Sequence, residues 1–173
     1  MIRVNNSPKQ EKKPQYLVAL AVVVGVVAIW LIMKLMLSSA NEGLNTRRES
    51  VTDADIVIPI SEVTENATFY PAVVGGTEME VIAVKAPDGT IRTAFNTCQV
   101  CYLSGRGYYT QSGDVLVCQN CGNRFTMSDI EIVHSGCNPI PITEQFKSTA
   151  DDKITIPLET LNEAKPLFAS WKR

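Results

Sequence analysis

Histidine is nearly missing from this chain: His134 stands alone among 173 residues. A lone histidine reads first as a surface or packed residue, and second as a metal ligand or a hydrogen-bond donor to sulfur. Charge of one sign is missing too. The 16 Lys and Arg nearly balance the 18 Asp and Glu, giving a formal net charge of -2. Beyond the N-terminal flank the basic residues are scattered, so no basic stripe exists to hold nucleic acid. Enzyme signatures are absent as well. There is no haem-type C-x-x-C-H, no phosphate-cradling loop, and no nucleophile paired with a base. A redox carrier or metal-binding subunit fits better than an enzyme.

What the chain has first is a run without charge. From Leu17 to Met33 it reads LVALAVVVGVVAIWLIM, and after Lys34 the run resumes as Leu35-Met36-Leu37. Roughly twenty apolar residues suffice to cross a hydrocarbon core as a helix. Lys34 can snorkel to the headgroups, and Trp30 lies near the same boundary. Arg3, Lys9, Lys12 and Lys13 precede the run, while only Lys34, Arg47 and Arg48 follow. That asymmetry predicts a single-pass protein of the cytoplasmic membrane, N-terminus inside, with the rest extracytoplasmic. A cleaved signal peptide ending at Ser38-Ser39-Ala40 is the rival, but the run exceeds a normal signal core. No twin-arginine pair precedes it, so export as an unfolded chain is expected.

The expected domains are a cytoplasmic tail over 1–16, a transmembrane helix over 17–37, a linker over 38–54 and a cysteine-rich metal-binding domain over 55–173. Within that domain the pattern predicts mostly β structure. Residues 56–60 read as a short edge strand because Pro59 excludes a central position. Residues 67–74, closed by Gly75-Gly76, read as a second strand. Residues 79–86 and 90–96 flank Pro87-Asp88-Gly89, a turn that joins them into a hairpin. Gln111-Ser112-Gly113-Asp114 predicts another hairpin, returning along Val115-Leu116-Val117. A late strand over 153–157 and a short helix over 158–164, ended by Pro166, complete the reading.

Both hairpins run into cysteines. Cys98-Gln99-Val100-Cys101 and Cys118-Gln119-Asn120-Cys121 are matched pairs, with Cys137 close behind. Two C-x-x-C pairs at this separation are a strong metal signal, since each can place two sulfurs on one ion. Thiolates are soft ligands, suited to iron, copper(I), zinc and iron–sulfur clusters. Gly122 fits a turn that closes around a metal, and Gly105 and Gly107 lie in the crossover between pairs. Cys98, Cys101, Cys118 and Cys121 are the expected ligands, and Cys137, in a rigid Gly- and Pro-rich loop, is a candidate fifth. Tyr102, Tyr108, Tyr109 and Phe125 flank the cysteines and read as packing that can also shield a redox centre. A structural zinc ribbon is the rival; thiol–disulfide exchange is a third, lacking a surrounding βαβ pattern.

The segments TAFNTCQVCY, RGYYTQSGDVLVCQNCGNRF and GCNPIPI, with FYPAVVGG and IAVKAPDGTIRTAFN upstream, resemble the FtrD-like membrane iron–sulfur proteins over roughly residues 55–170. The family's cysteines correspond to Cys98, Cys101, Cys118, Cys121 and Cys137, and Ser135 stands where members commonly have glycine. The resemblance implies a membrane-bound iron–sulfur protein working beside high-affinity iron uptake, with an iron permease or ABC-type transporter components as partners. VCQNCGNRF also echoes the second ligand loop of a Rieske centre, with cysteines where that centre has histidines. A chain exported unfolded takes up its metal afterwards, which favours mononuclear iron, copper or zinc over a preassembled cluster. Thiols in an oxidising compartment then call for a thioredoxin-like reductant. The function expected is electron transfer or metal handling in iron or copper uptake; the alternative is a zinc-ribbon-like interaction subunit of a membrane transporter complex.

Overall fold

Apolar–polar alternation breaks down at Val81-Ile82-Ala83-Val84, four consecutive buried residues, and this stretch is the centre of the fold. A strand covered on both faces reads as a continuous apolar run. The computed structural model describes residues 25–33, 48–134 and 136–173. The chain divides into two compact units, Met1–Arg47 and Arg48–Arg173. In the first, residues 25–33 are helical, with Val26 to Met33 exposed. No helix among the described residues is long and apolar enough to cross a membrane. The remainder of the span expected over 17–37 lies outside the described residues.

The second unit is mostly β, in three sheets. In chain order its strands are β1 (Val51–Thr52), β2 (Ile56–Pro59), β3 (Thr68–Val74), β4 (Thr77–Lys85), β5 (Ile91–Cys98), β6 (Tyr109–Ser112), β7 (Val115–Cys118), β8 (Arg124–Thr126), β9 (Pro139–Pro141), β10 (Ser148–Ala150) and β11 (Lys153–Ile156). Helix α1 (Leu158–Ala164) and a 3-10 turn (Lys165–Phe168) close the chain. The largest sheet has the order β1-β3-β4-β5-β9, antiparallel except for the parallel β1–β3 pair. β10-β11-β2 and β6-β7-β8 form the two smaller sheets.

Turn chemistry explains the hairpins. Gly75 and Gly76 both take positive φ, the demand of a tight two-residue turn, and Val74 pairs with Thr77 across it. At the β4–β5 turn the Asp88 carboxylate accepts from the Thr90 backbone N–H and hydroxyl, and Gly89 takes positive φ. β2 is an edge strand, where Pro59 leaves no ladder donor unmet. β9 carries two prolines and is likewise an edge.

Two apolar clusters lie on opposite faces of β4 and β5. Val81, Ala83 and Phe95 join Ile56, Ile58, Ile142, Ile154, Ile156, Leu161 and Phe168 in the first. Ile82, Val84 and Ala94 join Tyr109, Leu116, Met127 and Ile130 in the second, together with Cys98, Cys118 and Cys137. The period-two alternation of a strand sends neighbours to different clusters.

Candidate metal centre

Each C-x-x-C begins at the last residue of a strand. Cys98 ends β5 and Cys118 ends β7, both fully buried. The strand ends fix the backbone: Cys98 N–H donates to the Gly107 carbonyl at 2.7 Å, and Cys118 N–H to the Asn123 carbonyl at 2.9 Å. The chain then turns so that backbone N–H groups face sulfur. Cys101 N–H lies 3.2 Å from Cys98 Sγ. The N–H groups of Cys121 and Asn120 serve Cys118 in the same way. Gly122, at positive φ, closes the second loop, its N–H donating to the Cys118 carbonyl.

The first loop packs on Gly107, and the second pairs with the next residue, Gln119 N–H donating to the Tyr108 carbonyl at 2.8 Å. A Cβ at Gly107 would collide with the Cys101 carbonyl, so glycine alone permits this approach. Asn96, buried on β5, joins the sheets. Its Nδ2 donates to the Tyr109 carbonyl and its Oδ1 accepts the Tyr109 N–H. A side-chain amide thus stands in for a missing strand partner.

Cys137 arrives from a third direction. β9 pairs with β5, setting Pro139 opposite Cys98 across a register shift. Gln99 N–H donates to the Asn138 carbonyl, and Tyr109 Oη donates to the Cys137 carbonyl at 2.5 Å. This puts the Cys137 sulfur amid the others. Its Sγ lies 2.8 Å from Cys98 Sγ, 2.9 Å from Cys121 Sγ, 3.2 Å from Cys101 Sγ and 3.9 Å from Cys118 Sγ. All five cysteines are free thiols. The Sγ atoms of Cys98, Cys101, Cys118 and Cys137 all lie within 4.8 Å of one another.

The thiols differ electrostatically. Burial opposes the Cys98 thiolate, yet hydrogen bonds from Cys137 and Tyr109 outweigh it and hold Cys98 below its ordinary value. Cys121 also falls below, its slight burial outweighed by the bond to Cys137. Burial pushes Cys118 up to about 11. Burial, then the bonds to Cys121 and Cys98, hold Cys137 well above.

A buried ion pair clamps the loop between β8 and Cys137. Lys147 Nζ sits 2.8 Å from Glu131 Oε2 and 3.0 Å from Thr93 Oγ1, and Glu131 Oε2 accepts the Thr93 N–H at 2.8 Å. Sequence pattern missed this network. Its partners are far apart in the chain, and both charged residues look like ordinary surface ones. Of the flanking aromatics, Tyr109 is buried and meets Phe125 edge-on at 6.0 Å, while Tyr102 and Tyr108 are half-buried. His134 is exposed and lies outside the group of sulfurs.

The donor set is all sulfur, which fits soft metal ions and iron–sulfur centres. A tetrahedral ion about 2.3 Å from each thiolate sets sulfurs about 3.8 Å apart, and the observed spacings bracket that figure. Fold and site together define a small, mostly-β domain with a candidate thiolate metal centre. The family described as membrane iron-sulfur containing protein FtrD-like matches residues 63–168, and the chain belongs to that family. Neither a curated protein nor a solved structure matches the chain.

Proposed function

We propose that this chain is a membrane-anchored, extracytoplasmic iron protein, serving electron transfer or metal handling in iron uptake. The convergence of thiols from β5, β7 and the loop before β9 carries the reading. Cys98, Cys101, Cys118 and Cys137 hold the metal, an iron–sulfur centre or a single iron. When bound, iron supplies a one-electron couple. The protein's own contribution is threefold. Two N–H-lined loops favour thiolates, the second cluster limits water on the inner side, and Tyr109 fixes the Cys137 backbone. The paired loops at strand ends support a zinc-ribbon-like or Rieske-like arrangement. The uncharged run, its exposed helical stretch over 25–33 and its Lys-rich front flank support one span with the domain outside. An iron permease or ABC-type transporter components, with a thioredoxin-like reductant, are the partners this reading calls for.

A second reading rests on the spacing of the sulfurs, which suits one closed tetrahedral zinc and a structural, interaction role. Metal and sulfide analysis, with an absorption spectrum, of the full chain purified from membranes without refolding decides between them. A coloured, reducible iron protein is expected, and Cys118→Ser should lower metal content and melting temperature together. A colourless zinc protein with no redox transition would replace the electron-transfer role with the structural one. A copper protein would move the role to copper handling.

A further inference from the structure

Four ligands leave one thiol over. Cys121 Sγ lies 2.9 Å from Cys137 Sγ, yet it stands outside the group of four mutual neighbours. It is also the site cysteine that faces solvent: Cys98, Cys118 and Cys137 are buried and Cys101 is half-buried. The matched sequence of the two C-x-x-C loops thus hides an asymmetry. The second cysteine of one loop turns partly inward, and that of the other turns out. The difference has a chemical consequence, because disulfide exchange requires an attacking thiolate to reach a sulfur along the S–S axis.

We propose that Cys121 is the exchange site at which an external dithiol protein acts on this centre, with Cys137 as its internal partner. The proposal rests on the four-thiol metal site put forward above. At 2.9 Å the two sulfurs need to close by only about 1 Å to bond at about 2.05 Å. The bond ties up Cys137, which touches every other sulfur of the cluster, and so removes one ligand from the metal site. Opening it is a balanced two-electron step. A thiolate of the dithiol protein attacks Cys121 Sγ, the Cys121–Cys137 bond breaks, and Cys137 leaves as a thiolate that takes a proton or a metal ion. The partner's second thiol then attacks its own sulfur in the mixed disulfide and releases Cys121. The chain gains two electrons and two protons, and the partner ends as a disulfide. The reverse, from a protein disulfide, closes the site again. Cys98 Sγ is as near to Cys137 but fully buried, so an internal Cys98–Cys137 bond is reached only after interchange through Cys121.

The test uses the full chain in detergent, oxidised and metal-free. The probe is a thioredoxin whose second active-site cysteine is replaced by serine, which arrests the mixed disulfide for peptide mapping. The adduct should map to Cys121 and fall roughly tenfold or more in Cys121→Ser. Zinc(II) alone should load the reduced wild type and reduced Cys121→Ser equally, and oxidised wild type roughly tenfold less. Should the variant fail to fold, iodoacetamide on the reduced, zinc-loaded wild type gives the same information: Cys121 should alkylate first, with zinc retained. An adduct on another cysteine, or undiminished trapping in Cys121→Ser, overturns the exchange site. Zinc loss on substitution or alkylation of Cys121 makes it a ligand and overturns the proposal. If reduced wild type binds neither zinc nor iron, the metal site itself falls, and with it the gating of metal, while the mapped adduct still reports on exchange.

Discussion

The two faces of the central sheet are built from the same two strands and end up different. On one face, Val81, Ala83 and Phe95 meet aliphatic residues from β2, β11 and α1, and close a core with no polar partner needed. On the other, Ile82, Val84 and Ala94 meet a cluster in which three of ten buried residues are cysteine. Its covering sheet, β6-β7-β8, has strands of only three or four residues. The first face is held mainly by apolar burial. The second has less apolar volume, and its thiols offer a place for a metal staple. Small domains with scant cores are commonly stapled in this way.

The largest effect should come from breaking the self-sufficient face. Leu161→Ala removes a fully buried side chain of α1 and should cost about 4 kcal/mol in denaturant unfolding. Metal per folded molecule should stay unchanged, because no cysteine belongs to this cluster. Next comes the clamp on the loop that leads to Cys137. Lys147→Ala strands Glu131 beside Thr93 and should cost about 3 kcal/mol. Hydrogen exchange should rise first in the 127–138 loop, and Cys137 should alkylate faster. Gly107→Ala is more local. Its Cβ collides with the Cys101 carbonyl, and relief of that overlap should cost about 2 kcal/mol while metal content falls. Equal metal content in Leu161→Ala and Gly107→Ala would erase the distinction between the two faces.

Asp88→Asn should act least. The carboxylate is held below its ordinary value by hydrogen bonds from Thr90 and by Arg92, at an exposed turn. A depressed carboxylate stabilises above its unfolded pKa, and the benefit disappears as pH falls through the folded pKa. The small melting-temperature gap between wild type and Asp88→Asn should therefore be open at about pH 6 and shrink progressively as the pH falls below the ordinary carboxylate value of about 3.9. A gap that widened on acidification would contradict the turn's hydrogen bonding.

Much of the frame was legible from the chain alone. β2, β3, β4, β5, β7, β11 and α1 lie where apolar pattern and turn residues set them, within a residue or two at their ends. The strands that escaped, β1, β8, β9 and β10, have two or three residues each, too short for any period to register. β9 hid further behind its prolines, which argue against a strand except at an edge. The Lys147–Glu131 pair escaped because a charged residue's burial depends on what covers it, not on its neighbours in sequence.

The cysteine spacing by itself determined that four sulfurs leave strand ends in two matched loops, because a C-x-x-C turn is local geometry and needs no distant contact. Which sulfurs become mutual neighbours is a different kind of fact. It depends on β9 pairing with β5, on the Asn96 bridge to Tyr109, and on the close approach at Gly107. Those are long-range contacts, and they alone set Cys137 among the sulfurs and leave Cys121 facing water.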